Sequence, residues 1–217
     1  MVIIRESSDT RMEALSNLFS GQFYDFTMST EPLLGSSFYA KGSSTMLFQK
    51  DGRLYRLTRE GCGHALLAKE SQAGNPNFTR VIHDFGPVAP SDEGKGEFYW
   101  LAEVEWLEKL DKHSAQTESL VALLSRVTDD EELVMGDDLT DLITACKEAG
   151  TQTGFGDLLQ ALIISAEFAI NHDAGADIKL SNVMKRPGTG EYVLIDPIAG
   201  NHFDLSGAQE LAMAEFR

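Results

Sequence analysis

Four polar residues near the end of the chain have types and spacing that can do chemistry. Asp177, Lys179 and Asn182 stand in Asp-Ile-Lys-Leu-Ser-Asn, and Asp196 follows 14 residues after Asn182, in Leu-Ile-Asp-Pro. Two carboxylates, an ammonium and a carboxamide suit a reaction that orients a hydroxyl, holds a divalent cation and neutralises phosphate charge. Phosphoryl transfer is such a reaction, because it consists mostly of positioning and charge neutralisation. Asp177 and Asn182 are also common turn formers, so the bland alternative is a capped loop followed by a hairpin.

The elements that must position this set are readable from periodicity and punctuation. A long amphipathic helix over 155–171 leads into the segment, and Ser181–Met184 with Tyr192–Asp196 flank a Pro-Gly-Thr-Gly turn as a hairpin. Helical spacing is also clear over 118–127 and 139–149, and the charge run Asp129–Glu132 reads as a solvated face near a helix start. The earlier part is β-rich. Thr45–Gln49 and Arg53–Leu57 are strands joined by Asp51-Gly52, a dipeptide that supplies the positive φ angles of a tight hairpin. Thr79–Gly86 and Glu97–Glu105 are further strands, Gly63–Ser71 a helix, and residues 7–31 a leading helix with Met12, Leu15, Leu18 and Phe19 near one face. Trp100 and Trp106 are expected to pack in the core or at a hinge.

Composition narrows the partners. Asp+Glu number 34 against 18 Lys+Arg, and the resulting net charge of −16 repels phosphate. A general nucleic-acid or anionic-membrane binder is therefore excluded, and a basic or apolar partner is favoured. Cys62 and Cys146 match no metal spacing and are expected to be reduced thiols in a cytoplasmic protein. The charged start at Met1–Glu6 does not read as a signal peptide. The apolar stretch Leu158–Ile170 is interrupted by Gln160, Ser165 and Glu167 and does not read as a membrane span. The oligomeric state is not readable.

The Asp-x-Lys-x-x-Asn loop and the later Asp196 resemble the catalytic loop and metal-binding Asp of the protein-kinase-like superfamily. The likeness is closest to the early serine/threonine protein kinases of short-tailed lytic phages, where Pro likewise follows the metal-binding Asp. The resemblance implies an α+β, two-lobed minimal kinase-like fold. Its β-rich lobe would cover 1–107, and a truncated helical lobe 108–217. It implies ATP and Mg²⁺ as cofactors, Asp177 as base, Lys179 as phosphate neutraliser, and Asn182 and Asp196 as metal ligands. Upstream, Leu33–Phe38 is similar to the glycine-rich loop, with Gly35, Ser36 and Ser37 against the nucleotide. Arg56 stands where the ATP-contacting Lys belongs, with Glu70 as its partner.

The departures are specific. Arg56 replaces Lys, and a planar guanidinium is not interchangeable with an ammonium. Gly175 and Ala176 stand where His and Arg usually precede the catalytic Asp, and the chain stops at Arg217, soon after Asp196. Two readings follow from different classes. One is a small phage-encoded serine/threonine kinase that modifies host proteins or itself. The other is an acidic kinase-like binding protein that blocks a basic host site. A small-molecule kinase of the aminoglycoside type is disfavoured by the short helical lobe.

Overall fold

The computed structural model describes residues 18–94, 96–150, 154–200 and 202–216. The chain is α+β, as expected, and divides into two compact units. One comprises Met1–Arg59, Asp84–Glu103 and Asp204–Arg217, the other Glu60–His83 and Val104–Phe203.

The β-rich unit is built on a five-stranded sheet. Its strands are β1 (Ser37–Lys41), β2 (Thr45–Lys50), β3 (Arg53–Thr58), β4 (Val81–Pro90) and β5 (Phe98–Val104), in the order β1-β2-β3-β5-β4. The hairpin read from Asp51-Gly52 is present: Lys50 pairs with Arg53, and the two turn residues take φ of 51° and 79°. Both lie in the left-handed region, so the turn follows the twist of its strands. Met46, Phe48 and Leu57 join Leu33, Tyr99 and Leu101 in the core of this unit. Trp100 is buried as expected, whereas Trp106, beyond the end of β5, is 36% exposed.

The leading helix differs from expectation. Met12 and Leu15 lie outside the described residues, and from Leu18 onward only Gln22–Met28 (α1) is helical. Gly21 stops it from extending backward, with φ of 118° and the Asp92 carboxylate packed where a Cβ would sit. Asp92 caps α1 instead, accepting from the backbone N–H of Phe23 at 3.1 Å and of Tyr24 at 2.8 Å.

The second unit contains α2 (Gly61–Gln72), α3 (Ala115–Thr128), α4 (Asp138–Gly150) and α5 (Gly156–Asn171). The first three cover the helices read from the sequence, and α5 starts one residue after the 155 expected. Ser114 caps α3 by accepting from the Thr117 N–H at 3.1 Å. Leu120, Leu139, Leu162 and Ala166 share one apolar core. The acidic run sits at the opposite helix end from the one expected. Asp129 is the C-cap of α3, and Asp129 and Asp130 turn the chain with φ of 51° and 65°. Asp and Asn tolerate that conformation better than other side chains, which explains their place here. All four residues are exposed, as a solvated face requires.

Three short strands form a second sheet in the order β10-β7-β6: β6 (Leu133–Val134), β7 (Gly175–Asp177) and β10 (Ile198–Ala199). The late hairpin is β8 (Val183–Lys185) with β9 (Tyr192–Leu194), in register from Val183 opposite Leu194. It is shorter than expected because Leu180–Asn182 forms a 3₁₀ turn and pairing ends at Leu194. Among the described residues, no helix is long and apolar enough to cross a membrane.

Candidate active site

The chain reaches the candidate residues directly from α5. The Ala174 N–H bonds back to the Ala169 carbonyl at 3.0 Å, which turns the chain into β7. Asp177 was read as a loop residue but is the last residue of β7, the central strand of its sheet. Its N–H donates to the Pro197 carbonyl at 2.9 Å, and it stands opposite Leu133. A residue held by a strand on each side has little freedom to move off its position.

Asn182 ties the rest of the site together. Its side chain is buried, and Nδ2 donates to two backbone carbonyls, Asp177 at 3.1 Å and Asp196 at 2.7 Å. Its own carbonyl accepts from Ile195 N–H at 3.0 Å. One amide therefore ties its own segment to Asp177 and to Asp196, 14 residues further on. With both amide hydrogens committed, Oδ1 is the donor atom this carboxamide has left for a cation.

Lys179 lies on the same site, its Nζ 2.7 Å from Asp177 Oδ2. Burial works against its ammonium, but the hydrogen bond to Asp177 and the charges of Asp177, Asp196 and Glu132 outweigh it. The Lys179 pKa is therefore raised. The pair keeps a fixed positive charge beside the candidate base.

The first turn of α2 closes the site from another side. A Cβ on Gly63 would stand 3.2 Å from the Ile198 carbonyl and 3.6 Å from Asp196 Oδ1. The Cys62 N–H donates to the Gly200 carbonyl at 3.2 Å. Asp196 is thus placed at a helix N-terminus, where the macrodipole favours a carboxylate. Burial pushes the Cys146 thiol up to about 12 and raises that of Cys62 as well, which disfavours both thiolates.

The remaining sequence candidates are placed as follows. Gly35 and Ser36 form a turn ahead of β1, closed by the Ser36 N–H on the Leu33 carbonyl at 2.9 Å. Ser37 is the first residue of β1, and its hydroxyl donates to the Gln49 carbonyl at 3.3 Å. Arg56 is a buried residue of β3 opposite Leu47, where the surface position of a plain strand residue was the alternative. These four belong to the β-rich unit. Glu70 belongs to the helical one, is buried on α2, and accepts from Asn75 Nδ2 at 3.0 Å. The loop between β1 and β2 is Gly42-Ser43-Ser44, closed by the Gly42 N–H on the Thr45 carbonyl at 2.8 Å. The strand pairing of Lys41 with Met46 is what locates that loop, and Gly/Ser content alone did not separate it from Gly35–Ser37.

Sequence reasoning missed Arg186. Its guanidinium binds Glu105 through two contacts, of 2.9 and 2.7 Å, and Glu191 at 2.6 Å. It also donates to the Pro76 carbonyl at 2.6 Å and the Phe78 carbonyl at 3.3 Å. Next to it, Thr79 N–H donates to the Leu194 carbonyl at 3.0 Å. Arg186 therefore bolts the hairpin that leads to Asp196 onto residues 76–79 and 105. An Arg just before a Pro-Gly turn has no sequence signal that it is buried.

The donor set fits a magnesium ion shared with nucleotide phosphates. Mg²⁺ keeps several waters and takes one or two protein oxygens plus phosphate oxygens. Asn182 Oδ1 and the Asp196 carboxylate match that number. No group of three or more His, Cys, Asp or Glu able to hold a metal occurs among the described residues, so a closed protein cage is not what this set offers.

No family model matches the chain, and no curated protein matches its sequence. Solved structures similar to it include the GDP complex of an aminoglycoside 2'-phosphotransferase mutant, at 12% identity and a TM-score of 0.34. That match covers 83% of this chain and 74% of the other. Choline kinase LicA from Streptococcus pneumoniae is similar at 11% identity and a TM-score of 0.34, over 89% of this chain and 79% of that one.

Proposed function

We propose that the chain is a kinase-like phosphotransferase that uses ATP and Mg²⁺ to phosphorylate a hydroxyl, most specifically the Ser/Thr hydroxyl of a protein. The observation that carries this reading is the Asn182 carboxamide, which fastens the backbones of Asp177 and Asp196 together while Lys179 pairs with Asp177. A bland capped loop needs neither the Asn182 tie to both backbones nor the Lys179–Asp177 pair. Under this reading a phage origin and host-protein acceptors are parts of the proposal, as is autophosphorylation.

Asp177 orients the acceptor hydroxyl and takes its proton as the new oxygen–phosphorus bond forms and the bond to the leaving nucleoside diphosphate breaks. Lys179 supplies positive charge to the transferring phosphoryl group. Asn182 and Asp196 would hold Mg²⁺, which when bound neutralises charge on the phosphates. Arg56 stands as the candidate nucleotide contact, and the Gly42–Ser44 loop joins Gly35–Ser37 as a candidate cradle.

The test is transfer of labelled phosphate from ATP with Mg²⁺, for the chain alone and with host lysate. Asp177→Asn and Asp196→Asn are compared with the parent chain, with folding checked by circular dichroism. Both variants should stay folded and lose transfer by several orders of magnitude. Wild-type labelling that both variants retain would overturn the assignment. Full biological activity of the double variant would move the function to binding by the acidic surface.

A further inference from the structure

The end of α3 and the residues around Lys179 form a groove of which the phosphotransferase reading uses Lys179 alone. It is a cavity of about 170 Å³ whose apolar floor is Val121, Leu124, Ile178 and Leu180. Val121 is 45% exposed. Asp130, Glu131 and Glu132 form the rim. The rim is anchored at both ends. Ser125 Oγ donates to Asp130, and the Glu132 carbonyl accepts from the Ile178 N–H at 2.7 Å.

The electrostatics of this rim are one-sided. Asp129 is the C-cap of α3, and the run continues through Glu132, so four carboxylates stand at the negative end of the helix dipole. Helix termini usually carry the opposite charge there, so the arrangement is unfavourable for α3 itself. Lys179 is the cation lining the cavity, and its ammonium already pairs with Asp177. Arg126, in the last turn of α3, does not line it. A negative potential therefore faces the groove.

The groove adjoins the candidate site through Lys179. Ile178 and Leu180 flank Lys179, and the next residue back is Asp177. Leu133, directly opposite Asp177 across β6 and β7, is 45% exposed, and Met135 is 54% exposed. Opposed residues in such a pair lie about 5 Å apart at Cβ. Gly175 leaves room for both: a Cβ there would meet Leu133 Cδ1 at 2.8 Å and Met135 Cγ at 3.2 Å.

We propose that this groove docks the acceptor, a basic polypeptide segment that seats an aliphatic side chain on Val121 and Leu124 and cationic side chains against Asp130–Glu132. This rests on the phosphotransferase reading for what happens next, since the docked segment then carries its hydroxyl to Asp177. An apolar floor inside a carboxylate rim asks for both kinds of side chain on one chain, which a small cation or an apolar ligand alone does not supply. At about 3.3 Å per extended residue, the cationic positions fall within a few residues of the acceptor.

Two synthetic peptides test it on the full chain. They share one Ser and one Leu, with Arg at the flanking positions in one and Glu in the other. Fluorescence anisotropy reads docking without ATP, and labelled ATP with Mg²⁺ reads transfer. The Arg peptide should bind at least ~10-fold tighter, and added salt should weaken it. Asp130→Asn/Glu131→Gln should weaken that peptide about 3–10-fold while autophosphorylation is unchanged. Val121→Asp should weaken it further if the floor takes the Leu. Equal binding of the two peptides, or full binding by the charge variant, overturns the docking proposal. Selective docking with no transfer to any acceptor supports the groove and overturns the phosphotransferase reading instead.

Discussion

Replacing Arg186 by Met should destabilise the helical unit severely, and the structure sets the scale. The guanidinium makes five hydrogen bonds, to Glu105, Glu191, Pro76 and Phe78. The Glu191 side chain is 39% exposed, so water screens that pair and it contributes little. The Glu105 side chain is only 12% exposed, so Met would leave a carboxylate without its counter-ion in a desolvated place. Removing one member of a buried pair costs about 3–5 kcal/mol. The Pro76 and Phe78 carbonyls each lose a donor as well. A domain of this size shifts its Tm by about 2–4 °C per kcal/mol, so the expected loss is roughly 6–20 °C. Thermal unfolding by circular dichroism at pH 7 measures it. Arg186→Met/Glu105→Met should recover most of the loss, because replacing both partners by apolar side chains is often neutral. A fall of under ~3 °C for the single variant, or no recovery in the double, would refute the view that Glu105 burial makes Arg186 essential.

Three other outcomes follow from the same structure. Gly63→Ala must push its Cβ against the Ile198 carbonyl at 3.2 Å, and we expect about 1–3 kcal/mol of lost stability in urea unfolding, with weaker ATP-dependent labelling from a displaced Asp196. Burial alone would raise the Glu105 pKa, but its hydrogen bonds with Arg186 and Arg80 leave it lowered. Its stabilising share is then full above the usual carboxylate range and lost as pH falls through that lowered value, so acid unfolding of Glu105→Gln should lack that step. Cys62 and Cys146 should react with a thiol reagent at pH 8 far more slowly in the folded chain than in urea, because burial disfavours both thiolates; equal rates would contradict their placement.

Much of this fold was legible because its signals are local. Asp51-Gly52 fixed one hairpin, and helical spacing located α3, α4 and α5 to within a few residues. The closeness of Asp177, Lys179 and Asn182 was legible because the types and spacing of polar residues survive whatever the surrounding core does. What was not legible depends on partners far along the chain. Asp92 caps α1 from about 70 positions away, and no pattern near Gln22 announces it. Arg186 looks like a turn-flanking surface residue until Glu105 and residues 76–79 are folded around it. The run Asp129–Glu132 carries its charge openly, yet composition could not say which end of a helix it marks. Asp177 was assigned to a loop because the two-residue strands that flank β7 are too short for periodicity to register.

The β-rich unit is assembled from three stretches of chain, and the last of them is Asp204–Arg217. Phe216 in that stretch stacks edge-on against Phe23 at 5.9 Å and Phe26 at 5.1 Å between ring centroids. On a ribosome Phe216 is made long after Phe23 and Phe26. At ~5–20 residues per second, the intervening segment takes about 10–40 s to emerge. For that interval Phe23 and Phe26 wait without the ring that covers them. The unit whose sequence begins first is thus among the last to be finished, and a nascent chain stalled before residue 204 would present those two phenylalanines to whatever binds apolar surface in the cell.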